Sequence, residues 1–183
     1  MSPLKPKKLQ LTAGHGWRAK ANHKILVLDR GAVRLEYPET WVIGLTDDCV
    51  KINDKSPPDD DCVLGVSYHR WPAVAGDKLT VGTLVREAMR SDDRSFLETD
   101  PIHEETRIDI ALAWGQGRFI DPRVTREACA RLCIARKAEI QALITFDFWL
   151  SDLVRCDAYW NAILASLQLG QRATDPRRGP SLS

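Results

Sequence analysis

The sequence predicts an α/β domain of the α+β kind, an antiparallel β-sheet with two main helices packed on it. Three observations predict it. Apolar residues alternate along residues 108–114 and again along 128–148, the period-two pattern of strands. Residues 81–89 and 153–167 instead carry apolar stripes at helical spacing. The chain order is strands, a helix, more strands and a final helix, which fits an antiparallel sheet with helices laid against it.

The first structured stretch is residues 24–41. Ile25 to Leu28 and then Val33, Leu35 and Tyr37 suggest two strands, joined by turn chemistry at Asp29, Arg30 and Gly31. Pro38 ends the second, and Trp41 to Leu45 with Val50 and Ile52 continue extended around Asp47 and Asp48. Residues 53–61 hold two prolines and four acidic residues and read as an exposed loop, before Cys62 to Tyr68 resume a strand. Thr80 stands as an N-cap before Val81, Leu84, Val85, Ala88 and Met89, a helix of about three turns. Residues 91–101 are a polar loop. Ile108, Ile110, Leu112 and Trp114 then form a half-buried strand, Gly115 and Gly117 mark a turn, and Arg118 to Ile120 a short returning strand.

Residues 126–136 contain good helix formers, yet Ala128, Ala130, Leu132 and Ile134 alternate as a strand requires. Ile140, Ala142, Ile144, Phe146 and Phe148 alternate too. A three-residue connection at Arg136, Lys137 and Ala138 sets Ile134 opposite Ile140, Leu132 opposite Ala142 and Ala130 opposite Ile144, with all apolar residues on one side. An even loop would put the two sets on opposite faces. Ser151 then caps a helix with the stripe Leu153, Cys156, Trp160, Ile163, Leu164 and Leu167, stopped by Gly170.

With 183 residues the chain suits one core, and 44% hydrophobic and 28% charged residues match globular usage. Both ends, 1–16 and 171–183, are rich in Pro, Gly and basic residues and read as flexible segments flanking one domain at 17–170. Lys plus Arg at 26 against Asp plus Glu at 25 leave no field to gather nucleic acid or an anionic membrane. Pro3 and Pro6 interrupt Lys5, Lys7 and Lys8, and no signal-like or membrane-spanning apolar stretch occurs. Five cysteines without scaffold spacing fit reduced thiols. A soluble, cytoplasmic chain is expected.

Residues 31–41 (Gly-Ala-Val-Arg-Leu-Glu-Tyr-Pro-Glu-Thr-Trp) and residues 143–169, where Ile-Thr-Phe-Asp-Phe-Trp leads into a helix ending Ile-Leu-Ala-Ser-Leu, carry a family resemblance. With the order of elements, the chain resembles the PsbP-like α/β/α sandwich family over about residues 24–170. The resemblance implies that sandwich fold and a binding or assembly role rather than an enzymatic one. It brings no catalytic residues with it.

No nucleotide loop, Ser elbow or zinc motif is present. Gly115-Gln116-Gly117 lacks the third glycine of a dinucleotide loop, and His15, His23, His69 and His103 are scattered without a ligand group. Cys129 and Cys133, four residues apart on a strand, stand about 13 Å apart, too far for a shared zinc or a disulfide. Asp47, Asp54, Asp59, Asp60 and Asp61 lack EF-hand spacing and read as a solvated loop. No cofactor or metal is expected.

Of the six tryptophans, Trp17, Trp41, Trp71, Trp114, Trp149 and Trp160, most belong to apolar periodic segments. Trp71 ends a strand beside His69, Arg70 and Pro72, where an aromatic can anchor a partner against edge packing as the plain alternative. Trp114 with Arg118 forms a second such pair. The expected function is therefore a non-catalytic protein-binding or assembly factor, contacting another protein through His69, Trp71, Trp114 and Arg118. The alternative is a small-ligand binder or enzyme whose site gathers Glu127, Arg131 and Asp147, since the expected register sets Glu127 across from Asp147.

Overall fold

A computed structural model describes residues 18–46, 48–70 and 79–171. The expected flexible ends lie outside the described residues, apart from Gln171. An apolar run builds β1 (His23–Leu28), and apolar residues alternating with Arg34 and Glu36 build β2 (Val33–Pro38); the two pair antiparallel through a 3-10 turn at Asp29–Gly31. A two-residue strand far along the chain, Gln168–Leu169, pairs with the other side of β2 and completes a three-stranded sheet.

The large sheet holds β3 (Val42–Leu45), β4 (Val50–Asn53), β5 (Cys62–Arg70), β6 (Glu98–Thr99), β7 (His103–Thr106), β8 (Ala111–Asp121), β9 (Arg126–Lys137) and β10 (Ile140–Trp149). Its order is β3-β4-β5-β10-β9-β8-β6, with β7 also on β8, and every pairing is antiparallel. α1 (Val81–Arg90) lies on one face and α2 (Leu153–Ser166) on the other, and the late strand Gln168–Leu169 is β11. The expected antiparallel sheet with two packed helices is what the chain forms.

Each face buries its own core. Cys62, Leu64, Val66, Ile144, Phe146 and Phe148 from the sheet meet Cys156, Trp160 and Ile163 of α2 and Val33, Leu35 and Tyr37 of β2. On the other face a smaller cluster joins Val81, Val85 and Met89 of α1 to Ala113 and Ile134. Thr80 caps α1 as expected, its hydroxyl accepting the Thr83 amide at 3.1 Å.

Four expectations are corrected. The β9–β10 loop is two residues, Ala138 and Glu139, with Ala138 at φ 47°. Ile134 therefore faces Leu143, Ala142 faces Ala135 and Ile144 faces Cys133, so the even-numbered residues of β9 and β10 lie on opposite faces. This works because β9 is apolar on both sides: Cys129, Cys133 and Ala135 join the α2 core while Ile134 joins the α1 core. Residues 126–136 are strand. Second, Gly115 and Gly117 are not a turn but lie within the 11-residue β8. A Cβ on Gly115 would stand 2.3 Å from the Met89 sulfur, and one on Gly117 would stand 2.5 Å from the Phe96 ring, so both positions admit overlying groups rather than reverse the chain. Third, Ile108 is fully exposed in a turn closed by the Arg107 amide on the Ile110 carbonyl, and the strand begins at Ala111. Fourth, Asp152 rather than Ser151 precedes α2, after a 3-10 turn at Leu150–Asp152, and Ser151 accepts a hydrogen bond from Arg126 at 2.7 Å.

Candidate functional site

The large sheet is sealed on its α2 side and only half covered on its α1 side. α1 packs on β7, β8 and β9, leaving the same face of β4, β5 and the later half of β10 uncovered among the described residues. There a groove of about 500 Å³ opens between the acidic loop at Asp60 and Asp61 and the β8–β9 turn at Asp121–Arg123. Val63, Phe119, Ala128 and Trp149 give it apolar walls, with Lys51 at its edge.

The central polar groups are set from β8 outward. Because Gly117 has no side chain, Phe96 can lie on the sheet, where it meets Phe119 edge to face at 6.2 Å. The Arg94 guanidinium rests 5.2 Å from the Phe119 ring centroid and 5.7 Å from that of Phe96. An Asx turn holds it: Asp92 accepts the Arg94 amide at 2.9 Å, Nε at 2.9 Å and Nη2 at 2.6 Å. Nη1 then donates to Oδ1 of Asp147 at 2.6 Å. One cation thus serves two carboxylates. The Arg94 hydrogen bonds hold Asp92 below the usual carboxylate range, and Asp92 in turn raises Arg94. Asp147 goes the other way: removal from water on the sheet face pushes its carboxyl up, and Arg94 offsets this only in part. Its side chain still keeps 46% of its surface exposed. Asp121 is held low by Arg123.

The residues singled out in the sequence divide between the two faces. Trp114, Arg118, Glu127 and Arg131 share the α2 face by strand alternation. Arg131 is 4% exposed and lies among the rings of Trp114, Phe148 and Trp160 at 5.4, 5.1 and 5.9 Å. It donates to Gln116 at 2.7 Å and pairs with Asp157 of α2. Trp114 is covered by His103, stacked at 4.2 Å, and Arg118 pairs with Glu98 at 3.1 Å and Glu127 at 3.7 Å. Glu127 faces Ile120, not Asp147, whose partners are Ala130 and Val63. The expected Glu127, Arg131 and Asp147 cluster is therefore not assembled: Asp147 is across the sheet from Arg131. The cause is the two-residue loop, which shifts the β9–β10 register.

His69 is exposed and lies on the Asp147 face by alternation, six residues along β10 from it, or about 20 Å. Trp71 lies outside the described residues. Arg94, Phe96 and Phe119 were missed because a loop Asp-Asp-Arg-Ser-Phe has no special spacing; the two glycines at alternate positions of β8 were the available signal. Among the described residues no group of His, Cys, Asp and Glu is arranged to hold a metal, and no helix is long and apolar enough to cross a membrane.

Comparison with known proteins places this architecture. The chain is 33% identical over 172 residues, 93% of its length, to uncharacterized protein alr1449 of Nostoc sp. (strain PCC 7120), of which it covers 90%. Its fold matches cyanobacterial PsbP (CyanoP) from Synechocystis sp. PCC 6803, with TM-score 0.55, 17% identity and coverage of 88% of this chain and 99% of that one. It also matches the Ran-binding protein Mog1p of Saccharomyces cerevisiae, with TM-score 0.55, 11% identity and coverage of 81% and 95%. At these identities the two structures show a shared PsbP-like fold. The Alr1449 family model matches residues 24–172, and the chain belongs to the Alr1449 family.

Proposed function

We propose that this protein is a non-catalytic binding or assembly factor that receives another protein on the uncovered half of its α1-side sheet face. The observation that carries the reading is the asymmetry of the sheet: one face is sealed by α2 and β2, while the other ends in an open groove whose polar groups are already fixed. A rigid, half-bare face with apolar walls and a few oriented charges is suited to a partner's side chains. The fold neighbour named Ran-binding lends support at the level of architecture only. His69, on the same face, extends the proposed surface toward Trp71 in sequence, whereas Trp114 and Arg118 belong to the opposite side. A second reading, a small-ligand binder, is favoured by the groove volume, which falls within the range of about 300–1,000 Å³ usual for such sites.

The test is capture of the tagged protein from its native host, with a Val63→Tyr variant that fills the groove from its floor. A stoichiometric protein retained by the native chain and lost with the variant, at unchanged melting temperature, supports the reading. A clean monomer overturns the reading and favours the small-ligand one, while a partner indifferent to the filled groove overturns this surface.

A further inference from the structure

Resting on the protein-binding reading, we infer that the groove seats a lysine or arginine side chain of the partner polypeptide, its cationic head on Oδ2 of Asp147 and its aliphatic stem over Val63 and Ala128.

The charge bookkeeping at the groove points this way. Arg94 is fully engaged: Nε and Nη2 are on Asp92, Nη1 is on Asp147, and two phenylalanine rings flank it. It cannot turn to neutralise both carboxylates more completely. Oδ1 of Asp147 takes Arg94, while Oδ2 accepts no hydrogen bond among the described residues. A carboxylate has about four lone-pair sites, so one donor leaves it short of partners in a place already partly withdrawn from water. The remaining acids of the lining are Asp60, Asp61 and Asp121. Asp61 is met by Lys55 and Asp121 by Arg123, whose side chain is 86% exposed. Asp60 has neither an ion pair nor a hydrogen bond.

Against these stands Lys51, exposed at the edge with no ion pair among the described residues. The groove lining itself holds four carboxylates, Asp60, Asp61, Asp121 and Asp147, against three cations, Lys51, Arg94 and Arg123, on a chain whose net charge is +1. An incoming ammonium or guanidinium offsets the desolvation of Asp147 by charge attraction, whereas an incoming carboxylate adds like-charge repulsion. The apolar floor suits the methylene stem of a long basic side chain, which buries its carbons while its head finds the acid.

The probes are two synthetic twelve-residue peptides of equal apolar content, one carrying Lys and Arg, the other Asp and Glu, with binding read by fluorescence anisotropy. The basic peptide binds and weakens with added salt, the acidic one does not. Asp147→Asn lowers basic-peptide affinity by about tenfold, while Lys51→Glu raises it, a change that loss of structure does not produce. The inference is overturned if the acidic peptide binds better, if neither binds, or if Asp147→Asn leaves the affinity unchanged. Should any of these occur while the host partner is still lost with Val63→Tyr, the cationic contact fails and the protein-binding reading stands. If the host yields no partner, that reading fails with it, whatever the peptides do.

Discussion

The two faces of the large sheet each carry an arginine set among aromatic rings and carboxylates, and they use it differently. Arg131 is 4% exposed, ringed by Trp114, Phe148 and Trp160, and tied to Gln116 and to Asp157 of α2. Arg94 has a side chain 28% exposed, lies on Phe96 and Phe119, and reaches an Asp147 that is half open to water. The same chemistry becomes a rivet where a helix closes over it and stays open to solvent where none does. The difference lies in what covers the arginine, not in its immediate partners. It teaches that a perturbed ionic cluster acquires a candidate function from access.

The largest effect that separates the two is on folding. Arg131→Ala opens a void among three rings and leaves the Gln116 carbonyl oxygen without its donor, at a cost of about 3 kcal/mol in urea unfolding. A loss below about 1 kcal/mol breaks the rivet description. Next comes Gly117→Ala, whose new Cβ meets the Phe96 ring at 2.5 Å, and which destabilises by about 1–3 kcal/mol. Gly44→Ala, with nothing within 4 Å of its Cβ, is the control and stays within about 0.5 kcal/mol.

The smallest effect is the pH response, and it has opposite signs at the two carboxylates of Arg94. Asp92 is lowered in the folded state, so its contribution is full above the unfolded value near 4 and lost as pH falls below it. Asp147 is raised, so its contribution is full at low pH and lost as pH climbs from that unfolded value through its folded one. Asp92→Asn therefore flattens the acid limb of the stability curve. Asp147→Asn changes stability at neutral pH by less than about 0.5 kcal/mol, even as it weakens the peptide contact. Melting curves from pH 3 to 7 check both signs; an Asp147→Asn variant that behaves like Asp92→Asn merges the two roles.

Much of the architecture was legible because local patterns and long-range packing agree. The capped stripe of α1 and the alternation of β10 each have one buried side, so period and burial tell the same story. β9 is where this fails. It buries residues of both parities, so alternation alone could not assign a register, and the assumption of a single apolar face chose the wrong loop length. The glycines of β8 were misread for a related reason, since their role depends on Met89 and Phe96 arriving from α1 and its following loop. The site suffered most. Asp147 was noticed as an acid, but its partner lies 53 residues away in a loop that pattern reading treats as filler.

Strand β11 carries a consequence for biosynthesis. Leu169 pairs with Val33, and the Gly170 amide donates to the Ala32 carbonyl, so the small sheet closes only once residues 168–170 are available. Until α2 has been synthesised, the early hairpin displays Val33, Leu35 and Tyr37 without the Trp160 and Ile163 surface that later covers them. Closing so distant a contact is slow, and until α2 emerges the nascent hairpin leaves apolar surface open to premature association.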